Sequence, residues 1–235
     1  MSINLNQFTE IVRSRRSTRH FQPKIVPAEL LHEILEAARW SPSAFNLQPT
    51  HFIVVTDKDL KEKLYPACMN QRQVLEAGAV VVFTGDRHVV EHNFERILRQ
   101  DRDARANSAE YEQLLRKNVP LSFDRGFLGF GWLWKALAET IVGRFIPIPK
   151  LQAVHRDYWL AKQVSIAAQT FMLAAEIAGL ATCPMEGFSE RAVQEALNIP
   201  ADQAVILVIP VGYADNSKQT KTRLSLSDVV HQNGW

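Results

Sequence analysis

The sequence predicts an α+β sandwich in which a small central sheet is flanked by helices. Three observations lead there. Two short, continuous, β-branched runs, Ala79 to Thr84 and Ala204 to Val211, have the composition of buried strands. One long apolar stretch, Tyr158 to Gly179, is helical in length and leaves little polar face. No repeat, low-complexity tract or Ser/Gly/Pro linker divides the 235 residues, so residues 1–235 read as one domain.

The elements follow in order from local signals. Leu5 to Arg15 is a short helix that ends in a basic turn. Pro27 starts a second helix that runs to Trp40. Leu30, Leu31, Ile34, Leu35 and Ala38 line one face of it, and Ser41-Pro42-Ser43 stops it. His51 to Thr56 has strand character, and Asp57 caps a helix that reaches Tyr65. After the Ala79 strand, Val89 to Lys117 is charged and helical. Phe123 to Phe145 is rich in aromatics and contains Gly126, Gly129 and Gly131. Tyr158 begins the longest helix, which Gly179 ends. Ser189 caps a helix that runs to Asn198, and the Ala204 strand follows it. The tail from Asp215 is polar and irregular, then rises to Val229-Val230.

Composition excludes several function classes. A net charge of +2 and a pI near 8.6 are too balanced for a nucleic-acid binder, so any anion site is local. Two cysteines, Cys68 and Cys183, form neither a disulfide framework nor a zinc pattern, which fits a reduced, cytoplasmic setting. The N-terminus has no apolar signal core. Lys162, Gln163, Gln169 and Glu176 interrupt the longest apolar stretch, which argues for a buried helix and no membrane span.

Four segments stand out: Arg15-Arg16-Ser17-Thr18-Arg19-His20-Phe21, Ser41-Pro42-Ser43-Ala44-Phe45-Asn46-Leu47-Gln48-Pro49, Cys183-Pro184-Met185-Glu186-Gly187-Phe188, and Lys221-Thr222-Arg223. Singly, each has an ordinary reading: a solvated basic face, a helix stop, a loop after a strand, a basic tail. In this order and spacing they resemble the nitroreductase family. The resemblance runs from the N-terminal helix to Arg223 and is weakest between about Val89 and Lys150.

The resemblance implies a mostly antiparallel central sheet, an intertwined homodimer, bound FMN, and NAD(P)H as co-substrate. Arginine holds phosphate through paired, charge-assisted hydrogen bonds, and Arg15, Ser17, Lys221 and Arg223 match the family's phosphate group, with Arg16 beside them. Arg19 matches a cation near flavin N1 and the C2 carbonyl, where negative charge develops on reduction. Asn70 matches a hydrogen-bonding position on the pyrimidine side. Gln73 stands where some members carry Lys, which leaves that charge to Arg19. In the Pro184-Met185-Glu186-Gly187 segment, the backbone N–H groups of Glu186 and Gly187 match donors to N5 and O4. The Pro42, Ser43, Ala44 and Asn46 turn matches one that reaches the flavin of the other subunit. Thr50 departs from the pattern, because Trp is common there.

The implied reaction passes hydride from NAD(P)H through flavin N5 to an electron-poor small molecule, such as a nitroaromatic or quinone. One pocket serves both halves, so the kinetics are ping-pong, and no catalytic acid or base is required. Alternatives on the same fold are flavin reduction for a partner enzyme and reductive dehalogenation. A flavin-binding or regulatory protein without turnover is a further alternative.

Other signals are discounted. His88-Val89-Val90-Glu91-His92 spells the inverted zinc-peptidase pattern, but the match is short and no third ligand is evident, so no metal is expected. No nucleotide-binding G-x-G-x-x-G occurs, so the nicotinamide would bind transiently over the flavin. No G-x-S-x-G nucleophile motif occurs, and Cys183 reads as a buried, inert thiol. The clustered arginines lack the interleaved aromatics of a nucleic-acid surface. Residues of about 120–150 read as a variable lid, hinged at the glycines and stacking its aromatics opposite the flavin. A helix core or a membrane-surface patch are the competing readings of those aromatics.

Overall fold

A computed structural model describes residues 4–124, 131–147, 150, 152–215 and 220–235. Strands β1 (Thr50–Val55), β2 (Ala79–Asp86), β3 (Ala181–Thr182) and β4 (Gln203–Gly212) form one sheet in the order β1-β2-β4-β3. Every strand pairing is antiparallel, as expected. Nine helices are described: α1 (Leu5–Ser14), α2 (Ala28–Arg39), α3 (Lys58–Ala67), α4 (Gln73–Glu76), α5 (Val89–Asp103), α6 (Ala109–Phe123), α7 (Gly131–Val142), α8 (Arg156–Ile177) and α9 (Glu190–Leu197).

The sheet sits between two helical layers, which is why β2 reads as an unbroken apolar run instead of alternating. Val80 and Val82 pack with Leu64 and Ala67 of α3 and Val193 of α9. Ala79, Val81 and Phe83 turn the other way, onto Leu31 and Ile34 of α2 and Val164, Ala168 and Phe171 of α8. Phe83 meets Phe171 edge-on, with ring centroids 5.3 Å apart. Pro210 lies inside β4 opposite Val80, a central position that proline usually avoids. Its carbonyl accepts the Cys183 N–H, so the ring costs the sheet one donor and no acceptor.

The predicted caps form. Asp57 accepts the Leu60 N–H, Ser189 accepts the Ala192 N–H, and Gly179 ends α8 with φ 74°. The charged stretch expected as one helix from Val89 to Lys117 is two. Arg105 takes a left-handed φ of 52°, and the Ser108 side chain then caps α6 on the Tyr111 N–H. Neither α4 nor β3 was expected, for they are too short to carry a period. No described helix is long and apolar enough to cross a membrane.

Gly126, Phe127, Gly129 and Phe130, the core of the expected hinge, lie outside the described residues. In the neighbouring described part the helix-core reading holds for Phe123 alone, whose ring packs edge-on against Trp159. Helix α7 buries none of its residues, and Trp134 and Phe145 are exposed.

Candidate cofactor site

Helix α1 delivers the first basic group. Its amide ladder ends at Arg15, whose N–H bonds to the Ile11 carbonyl before the chain turns into extended backbone at φ −52°, ψ 133°. Ser17 then bridges Thr182 of β3, and the Thr18 N–H donates to the Thr182 carbonyl at 3.0 Å. The Arg15–Arg19 segment is thereby fixed to the sheet edge next to Cys183. Burial pushes the Cys183 thiol up, while the Arg19 and Arg15 charges act on it in the opposite direction.

The C-terminal tail folds back over this turn, as the pairing of segments from opposite chain ends requires. Lys221 Nζ donates to the Val12 carbonyl at 2.8 Å and to the Arg15 carbonyl at 3.3 Å. Burial pushes the Lys221 ammonium below its usual value, and the charges of Arg223, Arg15 and Arg16 push it the same way. Among the described residues, no carboxylate forms a salt bridge with Arg15, Arg19, Lys221 or Arg223. Arg15 Nη1 is buried with no hydrogen-bond partner among the described residues, and so is Thr182 Oγ1. Several cations crowd at one spot with a buried donor left over, which is the arrangement that a dianionic phosphate would satisfy. Arg16 is placed differently, because its Nη1 caps the end of α1 on the Arg13, Ser14 and Arg15 carbonyls.

A second group assembles beside the Pro184–Gly187 segment. Helix α3 ends in two left-handed residues, Met69 and Asn70, with φ 55° and 54°, which leave Asn70 exposed. Gln73 is buried, and its amide donates to Gln71 Oε1 at 2.9 Å. Gln71 in turn donates to the Gly187 carbonyl at 2.9 Å. A Cβ on Gly187 would lie 3.1 Å from the Gln71 amide nitrogen, so glycine permits this approach. Met185 exchanges both backbone hydrogen bonds with Val208 of β4. Among the described residues, the Glu186 and Gly187 N–H groups donate to no protein acceptor. Gln71 escaped the sequence reading although its neighbours Asn70 and Gln73 did not, since a glutamine in the short link between α3 and α4 carries no motif.

The Pro42–Asn46 turn lies elsewhere. A 3-10 turn, Ala44–Asn46, holds Phe45 and Asn46 at φ 57° and 53°, and the Gln163 side chain of α8 accepts the Ala44 N–H at 2.8 Å. Ser43 Oγ accepts the Gln48 N–H at 2.9 Å. Lys221 feels the charge of Glu176, near the other end of α8. Gln163 and Glu176 are separated by about 20 Å of helix at the usual rise per residue. Within one chain the turn and the basic cradle are therefore not brought together. A cavity of about 290 Å³ adjoins the turn, between Pro49, His51, Asn93, Arg96 and Gln163.

The chain is similar to known proteins over most of its length. The family described as the nitroreductase family matches residues 12–213. MhqN of Bacillus subtilis (strain 168) is 30% identical over 207 residues, covering 88% of each chain. The oxygen-insensitive NAD(P)H nitroreductase of Enterobacter cloacae is 28% identical, over 94% of this chain and 96% of that one. A chain from Exiguobacterium sibiricum 255-15, solved in complex with FMN, superposes with a TM-score of 0.72 at 23% identity, over 98% of this chain and 99% of that one.

Proposed function

The chain belongs to the nitroreductase family, and from that premise we propose that it is an FMN-dependent oxidoreductase using NAD(P)H to reduce an electron-poor small molecule, such as a nitroaromatic or a quinone. The observation that carries this reading is the basic cradle, with Arg15 Nη1 buried beside Lys221 and Arg223 and without a hydrogen-bond partner among the described residues. These groups fit a phosphate dianion, so Arg15, Ser17, Lys221 and Arg223 would hold the FMN phosphate. Arg19 would face the edge of the ring where negative charge develops. Asn70 and the Gln71–Gln73 pair would border the pyrimidine side. The Glu186 and Gly187 N–H groups would meet the opposite edge, which their lack of an acceptor among the described residues supports.

Bound FMN supplies the hydride-accepting ring. The chain supplies position and charge, and no side-chain acid or base is needed. Because donor and acceptor would share one pocket, turnover is ping-pong.

The working unit is a homodimer. Helix α1 buries no residue, Leu5 is 77% exposed, and the tail leaves Leu224, Leu226, Val229 and Val230 open. Apolar faces of this kind need a partner. The distance of the Pro42–Asn46 turn from its own cradle supports a site built from two chains. Two free, buried cysteines fit a cytoplasmic location, and the single run of family similarity supports one domain across the chain.

The test is a fluorescence titration of FMN into the wild type and into Arg15→Ala and Arg223→Ala, followed by addition of NADPH. Loss of a charged hydrogen bond weakens binding by about 1.5–3 kcal/mol, or roughly 10- to 150-fold. Wild-type affinity in both variants would remove the cradle. A flavin that NADPH and NADH both fail to bleach would remove the enzymatic reading.

A further inference from the structure

The far end of the sheet carries a second cluster that the cofactor site does not use. We propose that Asp86, His92 and Asp202 form a binding site for a divalent transition-metal cation, with Zn²⁺ the best match. One ligand atom from each residue lies within 4.8 Å of the other two. The site is distinct from the cradle. Arg87, next to Asp86, pairs with Asp157 at the N-terminal end of α8, whereas Lys221 senses Glu176 at the C-terminal end.

Backbone structure fixes all three positions. Asp86 ends β2 opposite Gln203 in β4, so Asp202 arrives beside it through strand register. The Arg87 N–H donates to the Asp202 carbonyl at 2.9 Å, which ties the two strand ends together. His92 sits in the first turn of α5, with its N–H on the His88 carbonyl. Asp86 Oδ1 accepts the His88 N–H at 2.7 Å, and its other oxygen, Oδ2, lies 2.7 Å from His92 Nδ1. The carboxylate is thus held in one orientation, one oxygen toward the backbone and one toward the cluster.

Electrostatics then calls for a cation. Asp86 is only 2% exposed, and it shares the spot with a second carboxylate. Asp202 Oδ1 is buried with no hydrogen-bond partner among the described residues. An unpaired buried carboxylate oxygen is costly. The adjacent Arg87 does not relieve it, since its guanidinium serves Asp157, Glu190 and the Ala201 carbonyl. A divalent ion would satisfy both carboxylates at once. The His92 side chain is 53% exposed, so water can complete the coordination shell.

The donor set selects the metal class. One imidazole nitrogen and two carboxylate oxygens suit Zn²⁺ and its first-row neighbours, whereas Ca²⁺ prefers six to eight oxygens and Cu(I) prefers sulfur. Binding exchanges a proton for the ion. The imidazolium form of His92 gives its Nδ1 proton to solvent and keeps the proton on Nε2, and the freed Nδ1 lone pair goes to the metal. The His88–His92 pattern thereby gains a role unlike that of a zinc peptidase. His92 is the ligand, while His88 positions Asp86 through its backbone. The expected consequence is a clamp on β2, β4 and the start of α5.

The experiment uses the full, untagged chain, stripped with EDTA and titrated with Zn²⁺ by calorimetry, with thermal melting alongside. One Zn²⁺ per chain, a higher Tm with Zn²⁺, and binding weakened about tenfold or more in both His92→Asn and Asp202→Asn would support the site. Both variants change half-exposed or partly exposed side chains and leave the buried Asp86 in place, and circular dichroism checks their folding. His88→Asn keeps the backbone donor and should bind as wild type. Absence of stoichiometric Zn²⁺ uptake, uptake that survives unchanged in both ligand variants, or tighter binding of Ca²⁺ than of Zn²⁺ would overturn the proposal.

Discussion

Single residues here show how position decides chemistry. Arg15 and Arg16 are adjacent and identical in type, yet Arg16 turns back to cap α1 while Arg15 keeps a buried nitrogen without a partner among the described residues. Lys61 is a buried cation of another kind. Its ammonium donates to the Ala77 carbonyl, and burial lowers its pKa, so it fastens α3 to the turn before β2. The two thiols are tuned by burial as well. The Cys68 pKa is raised from 9.0 to about 11, and burial raises that of Cys183. At pH 8 the Cys68 thiolate is then only about one part in a thousand. Ellman's reagent at pH 8 should leave both thiols of the native chain unmodified over minutes and titrate both in denaturant. A native thiol that reacts as fast as a free one would contradict the burial of these sites.

At the scale of elements, Arg87 is the joint of the far end. Its guanidinium meets Asp157 at the start of α8, Glu190 at the start of α9 and the Ala201 carbonyl ahead of β4. Both carboxylates lie in the first turn of their helices, where the helix dipole favours negative charge. Arg191 provides the contrast. It pairs with Glu195 one helical turn away, and its side chain is 88% exposed. Arg87→Ala should cost about 1–3 kcal/mol of stability through stranded partners, whereas Arg191→Ala should leave the urea midpoint unchanged. Urea melts of the two variants measure the difference, and equal losses would deny Arg87 this role. The Ala44–Asn46 turn is the other element set by tertiary contact, since Gln163 holds a backbone donor that the turn cannot satisfy itself.

At the scale of the molecule, α1, α7 and the tail expose apolar residues, and α8 exposes Tyr158, Ile166 and Ile177 beside the face it buries on the sheet. The tail carries Lys221 and Arg223 in addition to its apolar residues, so the proposed assembly and cofactor contacts would share one segment. A chain ending at Thr220 should sediment as a monomer and fail to retain FMN. Arg223→Ala in the full chain should remain dimeric with weakened FMN binding. A dimeric truncated chain with wild-type FMN affinity would separate the two functions and refute their coupling.

The sequence by itself determined the elements whose signals are local. β2 and β4 were legible as continuous apolar runs, and α8 as a long apolar helix. The Asp57, Ser189 and Gly179 boundaries were legible because caps depend on backbone groups a few residues away. The basic segments were legible because charge at both chain ends is visible without a fold. The break at Arg105 was not, since a left-handed non-glycine residue leaves no mark in composition. Only the tertiary structure decided that Lys221 lies on the carbonyl of Arg15, that Gln71 ties the end of α3 to Gly187, and that Asp202 meets Asp86 and His92. The physical reason is range. Periodicity and capping act over one or two turns of chain, whereas these contacts join residues brought together by strand register and by the packing of helices on opposite faces of one sheet.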